Sequence, residues 1–245
     1  MDRIQILDFD TKLFGFKIGK FIGRRLSLEE ARKIVKYCKN KGIKCLYADL
    51  DINDFASLSA ATKCGFVISD IRIIFEKDLT GFKATTKIKL DDYQVDDNIK
   101  DTDIPYLKSL SKEMSGVSRF TFDKSFPAGS GEKLYIAWML NSISKEVADK
   151  IFIAREIKTK KPLGVITCKE EQDHGEIVLL GVDKEHSGRG IATFILSRAL
   201  CFFKKNGFKK VRVATQGSNV PAQRLYQKNG FLTQSTSVFF HLWLK

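Results

Sequence analysis

Two glycines near position 190 are spaced so that they could form a binding site for an anion. Gly188 and Gly190 follow a run of β-branched residues and leucines that predicts a strand over 176–182, and they precede apolar residues at helical spacing from Ile191 onward. Glycine permits a sharp turn and a close approach to a ligand, and the first amides of a helix have no partner within it. The pattern therefore predicts a phosphate site, although a strand-to-helix connection that merely needs glycine would show the same spacing.

A second segment carries a tyrosine that could donate a proton. Asn219 suits the cap of a helix, Pro221 its first turn and Gly230 its end, so a short helix is predicted between them. Asn219 and Tyr226 are seven residues apart and therefore lie on one face of that helix. Tyr226 is then either a residue of a functional site or an aromatic residue that packs in the core.

The charge of the C-terminal segment 186–245 indicates an anionic partner. This segment contains no Asp or Glu and ten Lys or Arg, and the whole chain has a formal net charge of +13. Such a field attracts a polyanion, so we expect the cations to surround the glycine turn. Nucleic acid is an alternative, but the aromatic residues do not alternate with the cations as a stacking surface requires, and no nucleic-acid partner is expected.

The remaining residue types argue against several classes of protein. The five cysteines and three histidines are scattered without metal-ligand spacing, so we expect neither a metal site nor a disulfide framework. No apolar stretch reaches ~18 residues and the first residues do not form a signal peptide, which predicts a cytoplasmic protein without membrane insertion.

The element order near the N-terminus recurs near the C-terminus. Adding 165 to the residue numbers superposes a predicted helix end, strand, helix, Gly-Phe pair and strand without a gap, so that Gly65-Phe66 falls on Gly230-Phe231. The first copy has Arg25 at the place of the second turn glycine and Ala61 at the place of the tyrosine. We therefore assign cofactor binding to the second copy and a structural or substrate-holding part to the first.

The glycine turn and the tyrosine helix together resemble the acetyl-coenzyme A site of the GNAT superfamily of N-acetyltransferases. The matching residues are Val182-Asp-Lys-Glu-His-Ser-Gly188-Arg-Gly190-Ile-Ala192 and Asn219-x-x-Ala222-x-x-x-Tyr226-x-x-x-Gly230-Phe231. The resemblance implies that acetyl-coenzyme A is the cosubstrate, that the turn amides hold its pyrophosphate, and that Tyr226 is the general acid toward the departing thiolate. Glu185 departs from the family pattern, which usually has Arg or Gln there. The implied cofactor-binding residues are Leu180, Gly181, Val182, Ser187, Gly188, Arg189, Gly190, Ile191, Ala192, Thr193, Asn219 and Tyr226.

Further segments are similar to the dTDP-fucosamine acetyltransferases that build enterobacterial common antigen. These segments are Leu7-Asp-Phe-Asp10-x-x-x-Phe14-Gly15-Phe16, Ser118-Arg119-Phe120, Tyr135-x-x-Trp138-x-x-Asn141-Ser142, and Val213-Ala-Thr-Gln216 with the last strand. The similarity implies acetyl transfer to the amino group of a nucleotide-activated sugar of the dTDP-4-amino-4,6-dideoxyhexose type. Arg119 and Phe120 are then substrate-binding residues. Asp70 stands where family members carry a Glu that is a candidate base.

The same similarity implies a mixed α/β sheet in two domains, a truncated GNAT-like domain over 1–84 and an acetyl-coenzyme A-binding GNAT domain over 85–245. A homodimer is also compatible with it. For the base, the residues leave other candidates open, namely a water chain and His186, His241, Glu170, Glu171 and Glu176. For the function, the alternatives are a peptide or lysine N-acetyltransferase on the same fold and a basic nucleic-acid-binding protein.

Overall fold

One sheet runs through the part of the chain that the computed structural model describes, residues 3–82 and 91–244. Its strands are β1 (Ile4–Ile6), β2 (Ile18–Phe21), β3 (Cys45–Asp51), β4 (Val67–Asp78), β5 (Tyr93–Asp96), β6 (Lys150–Glu156), β7 (Pro162–Glu170), β8 (Gly175–Val182), β9 (Lys210–Gln216) and β10 (Leu232–Trp243). The helices are α1 (Asp8–Phe14), α2 (Leu28–Asn40), α3 (Phe55–Lys63), α4 (Ile104–Met114), α5 (Arg119–Phe122), α6 (Ser130–Ile143), α7 (Ile191–Lys205) and α8 (Val220–Lys228).

The strands are ordered β1-β2-β3-β10-β4-β9-β8-β7-β6-β5. Neighbours run antiparallel except in two parallel pairs, β2 with β3 and β8 with β9. Apolar side chains of α7 pack on one face of the sheet, and those of α4 and α6 pack on the other. The predicted α/β class with a mixed sheet is therefore confirmed.

The internal repeat is visible in the bounds of the elements. Adding 165 to the limits of β3, α3 and β4 gives the limits of β9, α8 and β10 residue for residue. Both copies of the short helix begin at a side-chain cap, Asp54 accepting from the Ser57 amide and Asn219 from the Ala222 amide. The two copies therefore fold by the same local rules.

The two copies exchange their last strands. β10 of the second copy lies between β3 and β4 of the first, and β4 pairs from Arg72 to Asp78 with β9 of the second copy. Phe75 of β4 consequently packs against Tyr226 of α8, with ring centroids 5.9 Å apart, and the Lys77 ammonium donates to the Asn229 carbonyl at 2.8 Å. The predicted boundary between 84 and 85 lies outside the described residues, and the division into two domains stays a prediction.

The apolar composition of residues 4–21 predicts mostly strand, and the pattern of residues 115–132 predicts an irregular region, but the structure differs from both predictions. Residues 4–21, expected to be mostly strand, contain α1, which has Asp8 and Asp10 in its first turn and ends at Gly15 with φ +81°. Acidic residues favour a helix N-terminus and a left-handed glycine favours its end, and these local signals prevail over the apolar composition. Residues 115–132, expected to be irregular, contain α5 and the start of α6.

The helices of the described residues are short. The longest of them, α7, has 15 residues, fewer than the ~20 that a membrane-spanning helix needs. Within residues 3–82 and 91–244, no helix is long and apolar enough to cross a membrane.

The strand exchange predicts that both copies unfold together. Phe75 and Phe240 occupy equivalent positions of the repeat, each is 1% exposed, and Phe240 packs against Phe66. Replacing either one by Ala should lower the free energy of unfolding by about 3–5 kcal/mol, because each leaves a cavity in a core that the exchanged strand closes. Denaturant titration followed by tryptophan fluorescence and by circular dichroism should show one shared transition in both variants. Leu232→Ala, at a side chain 76% exposed, is the control and should change little. Two separate transitions would contradict the prediction.

Candidate active site

The segment 188–193, named the cradle below, presents a row of free backbone amides. Gly188 and Gly190 have φ of +80° and +83°, left-handed values that favour glycine. Phe194 is the first residue of this region whose amide has a backbone acceptor. It donates to the Gly190 carbonyl at 3.0 Å. None of the amides of residues 188–193 donates to an acceptor among the described residues. The geometry fits the pyrophosphate of acetyl-coenzyme A, which amides at a helix N-terminus can bind.

The cations of the segment 186–245 do not all surround the cradle. Lys204 and Lys205 lie at the far end of α7, about 20 Å along the helix axis from its start. Lys210 pairs with Asp173 at 2.9 Å and Arg212 pairs with Glu76 at 2.6 Å. The expectation that the cations surround the turn is therefore wrong for these residues, because the sheet and α7 carry them away from it. Arg189 is exposed in the cradle itself.

Beside the cradle, β8 and β9 separate and leave a cleft. They pair only from Gly175 with Val211 to Ile177 with Val213, so residues 178–182 of β8 and 214–216 of β9 diverge. β7 pairs with the other edge of β8 as far as Val182. We name this opening the β8–β9 cleft. It gives the predicted residues Leu180, Gly181 and Val182 a strand edge that faces the cleft and that no described strand covers.

Tyr226 lies in the core next to the point where this cleft begins. Its ring packs on Phe75, whose Cα partner on β9 is Val213, the last residue of β9 that is also paired with β8. The residue is 5% exposed, and burial raises the pKa of its hydroxyl above the ordinary tyrosine value. Tyr226 therefore stays protonated at neutral pH. The Asn229 side-chain amide, at 3.4 Å from the Thr193 hydroxyl, links α8 to the cradle.

The first copy has a turn at the equivalent place, but its backbone differs and one of its own side chains occupies an amide. The amide of Leu26, equivalent to that of Ile191, donates to the Ser57 hydroxyl at 2.7 Å, and this hydroxyl donates to Asp54 at 2.7 Å. Arg25 lies 3.7 Å from the same carboxylate. An anion would have to displace these contacts, which is consistent with cofactor binding by the second copy alone.

A cavity of about 310 Å³ opens at the C-terminal end of β9, on the side away from the β8–β9 cleft. Both sequence-predicted residues Asp70 and Arg119 line it, although they are 49 positions apart. We name it the Asp70 cavity. Its remaining lining residues are Ile68, Ser69, Ile71, Val117, Phe122, Gly217 and Ser218.

The two charged residues of the Asp70 cavity are not paired with each other. Burial raises the pKa of Asp70, against the opposing effect of the nearby Arg119 charge, and one carboxylate oxygen accepts from the Ile71 amide at 2.8 Å. Among the described residues, no carboxylate lies within 4.0 Å of the Arg119 guanidinium. The cavity thus offers a carboxylate with raised basicity and a free cation to a ligand.

Phe120 differs from Arg119 in its surroundings. Its ring is 3% exposed and packs on Phe14 and Phe126, with centroids 5.6 and 5.1 Å away. The Arg119 guanidinium lies 4.3 Å from the same ring. Phe120 therefore supports the arginine from the core side and is not one of the residues that line the cavity.

Two polar residues lie near the site although no role in it is predicted for them. The aromatic stripe of Tyr135 and Trp138 on a predicted helix indicates core packing, and Tyr135 is buried, but its hydroxyl accepts from the Gln216 side-chain amide at 3.4 Å at the end of β9. Gln216 could have been noticed because it directly precedes the β9–α8 turn. Conversely, the candidate bases Glu170 and Glu171 lie at the β7–β8 hairpin, at the opposite end of β8 from the cradle.

Metal ligands do not cluster in this region. No group of three or more His, Cys, Asp or Glu side chains in residues 3–82 and 91–244 is arranged to hold a metal ion. The cradle and the Asp70 cavity are therefore described here by their amides and side chains.

Comparison with known proteins identifies the family of the segment that contains most of the site. Residues 118–231 match the family described as Acetyltransferase (GNAT) family. N-acetyltransferase 8B of Homo sapiens is 38% identical over 66 residues, which are 27% of this chain and 29% of that protein. The spore coat polysaccharide biosynthesis protein SpsD of Bacillus subtilis is 22% identical over 134 residues, 55% of this chain and 45% of that protein. The chain spans less than half the length of either relative.

A solved structure has a similar fold over almost the whole chain. The GCN5-related N-acetyltransferase from Sphaerobacter thermophilus superposes with a TM-score of 0.68 at 13% identity and covers 97% of this chain and 75% of that one. The likeness confirms the predicted GNAT fold. The chain thus has the GNAT fold, and its residues 118–231 match the GNAT acetyltransferase family.

Proposed function

We propose that this protein transfers an acetyl group from acetyl-coenzyme A to the amino group of a nucleotide-activated amino sugar. The observation that carries the proposal is the position of the Asp70 cavity, which meets the C-terminal end of β9 from one side while the β8–β9 cleft meets it from the other. An amine in the cavity and a thioester in the cleft would come together at this strand end. Acetyl-coenzyme A, when bound, supplies the activated acyl group.

The cradle and the β8–β9 cleft would hold the cosubstrate. The amides of Gly190, Ile191 and Ala192 would donate to the pyrophosphate, which needs no side chain, so Glu185 does not prevent binding. The free edge of β8 at Leu180 to Val182 would donate to the negative charge that develops on the carbonyl oxygen.

Proton transfer is assigned to two residues. An amine attacks only after losing its proton, and Asp70 would accept it directly or through a water molecule, since its raised pKa strengthens it as a base. Tyr226 would return a proton to the departing thiolate, since burial keeps its hydroxyl protonated. Proton donation from a tyrosine, ordinary pKa about 10, to a thiolate, whose thiol has a pKa of about 8.5, is uphill. Burial raises the pKa of Tyr226 further, so we expect a moderate benefit.

The acceptor class is inferred from the lining of the Asp70 cavity. Arg119 offers a planar cation of the kind that binds phosphate oxygens in pairs, and Ile68, Val117 and Phe122 offer apolar surface to a base or deoxysugar. The relative SpsD is named for spore coat polysaccharide biosynthesis, and this supports a sugar acceptor. The dTDP-4-amino-4,6-dideoxyhexose type combines all three features, an amine, a diphosphate and an apolar methyl group.

An acceptor comparison tests the proposal. The purified protein is given acetyl-coenzyme A with a dTDP-4-amino-4,6-dideoxyhexose, with the same amino sugar lacking the nucleotide, or with a lysine-containing peptide. Thiol release and product mass are measured. We expect the highest kcat/KM for the nucleotide sugar, because only this acceptor presents an anion to Arg119. A higher kcat/KM for the peptide would favour a peptide N-acetyltransferase, and no transfer to any of the amines would contradict the proposal.

We predict that Gly190→Val weakens acetyl-coenzyme A binding by about tenfold or more. A valine is strained at φ +83° and its side chain keeps the amides from approaching phosphate, and a hydrogen bond to a charged group contributes ~1.5–3 kcal/mol. Calorimetric titration of acetyl-coenzyme A measures the effect. Gly207→Val is the matched control, since Gly207 has φ +85° just beyond the other end of α7. Gly207→Val should lower the stability of the protein and leave its affinity for acetyl-coenzyme A unchanged. Equal affinity in both variants would show that the glycine turn has only a structural role.

We predict that Tyr226→Phe lowers kcat by at least about tenfold while the affinity for acetyl-coenzyme A and the melting temperature hardly change. The substitution keeps the packing on Phe75 and removes only the hydroxyl, and general acid catalysis typically contributes ~10²–10⁴-fold. A thioester with a better leaving group should restore part of the rate. Tyr37→Phe on α2 is the control. Unaltered turnover of Tyr226→Phe would assign the residue to the core alone.

A further inference from the structure

A network of hydrogen bonds joins the arginine of the Asp70 cavity to a half-buried carboxylate. The Arg119 Nε donates to Nε2 of His241 at 3.2 Å, and Nδ1 of that ring is 2.7 Å from Oδ2 of Asp123. The same oxygen accepts from the indole of Trp243 at 2.8 Å, and the other oxygen accepts from the Ser125 amide at 2.9 Å. His241 is 1% exposed, so the imidazole of this network is shielded from solvent.

The protonation states of Asp123 and His241 follow from these contacts. Burial lowers the pKa of His241, although the hydrogen bond to Asp123 opposes this effect. Burial by itself raises the pKa of Asp123, but the bonds from His241 and Trp243 more than offset it and lower that pKa. A neutral imidazole with its proton on Nδ1 donates to the carboxylate and keeps Nε2 free to accept from Arg119. A protonated ring would have no such acceptor.

The hydrogen-bond network leaves the two terminal nitrogens of Arg119 unoccupied. The guanidinium lies 4.1 Å from the Phe239 ring and 4.3 Å from the Phe120 ring, which fixes the plane of the group. Its Nε is bonded to His241, while its two terminal nitrogens have no hydrogen-bond acceptor within the described residues. Those nitrogens are the pair with which an arginine binds two oxygens of one phosphate.

We propose that Asp123 and His241 are positioning residues that hold Arg119 with its terminal nitrogens toward the Asp70 cavity, so that they bind the phosphate oxygens of a nucleoside diphosphate. The inference rests on the proposed function for the class of acceptor. The anion site is then built by three segments, α5, the residues just after it, and the last strand. His241 acts only through Arg119 and touches neither amine nor thioester.

Both positions of the carboxylate–imidazole pair are set by the fold. Asp123 directly follows α5, a helix of four residues, and His241 is in β10, where it pairs with Tyr47 of β3. Without the bonds to β10, such a short helix would rely on packing alone to aim Arg119. The exchanged strand β10 therefore has two roles, since it closes the sheet and also orients the arginine.

Binding of thymidine diphosphate to the full chain saturated with coenzyme A tests the inference, because coenzyme A occupies the cradle and leaves Arg119 as the anion site. His241→Phe keeps a ring but removes both nitrogens, and we expect about tenfold weaker binding or more, comparable with Arg119→Ala. His241→Gln should retain affinity within about threefold, since its amide can accept from Arg119 and donate to Asp123. The double variant Arg119→Ala/His241→Phe should bind no more weakly than Arg119→Ala alone.

Packing effects are separated by Phe126→Leu, which alters a ring 5.5 Å from His241 without touching the hydrogen bonds. It should lower the melting temperature and leave the affinity for thymidine diphosphate unchanged. If His241→Phe does not fold, His241→Asn, whose amide is too short to reach both partners, carries the same expectation. Unchanged affinity in the His241 variant, additive losses in the double variant, or no binding by the wild type would overturn the inference. If thymidine diphosphate binds with the expected pattern but no acetyl transfer to amino sugars occurs, only the proposed function is contradicted.

Discussion

The exchange of the last strands is the constraint on which the rest of the structure depends. β10 fills the gap between β3 and β4, and β4 completes the sheet beside β9, so neither copy has a closed core without a strand from the other. Each exchanged strand buries a phenylalanine against the other copy, Phe75 on Tyr226 and Phe240 on Phe66. Hydrophobic burial on this shared face supplies the stability, and it leaves the opposite face of the same strands free to carry polar residues.

The two copies of the repeat differ in the turn before the helix, which is the candidate anion site in the second copy only. Strand exchange requires only that the buried face stay apolar, so it places no demand on the turn before the helix. In the second copy that turn has glycines at left-handed φ and unpaired amides. In the first copy, the Ser57 hydroxyl accepts from the corresponding amide of Leu26, and Asp54 in turn accepts from that hydroxyl. The first copy thus supplies an acceptor from its own chain, whereas the amides of the second copy stay free for the ligand that we propose.

Features that depend on neighbouring residues could be predicted from the sequence, and features that depend on distant ones could not. The glycine turn, the cap at Asn219 and the register of the repeat are local, and the structure has each of them as expected. The pairing of His241 with Arg119 joins residues 122 positions apart, and neither has a neighbour that signals it. The sequence pattern does not reveal α1 because its apolar residues suit a strand as well as a helix, and only its ends distinguish the two.

The lack of acidic residues after position 185 explains why the candidate site needs both copies. The segment 186–245, which contains the cradle, α7, β9, α8 and β10, has no Asp or Glu, so it cannot provide its own carboxylate base. Strand exchange brings β4 beside β9, and with it Asp70, whose Cα partner on β10 is Phe239. The cation that faces this carboxylate, Arg119, rests on the same phenylalanine ring. Through β4, the first copy thus supplies the carboxylate that we propose as the base, a group that the segment 186–245 does not contain.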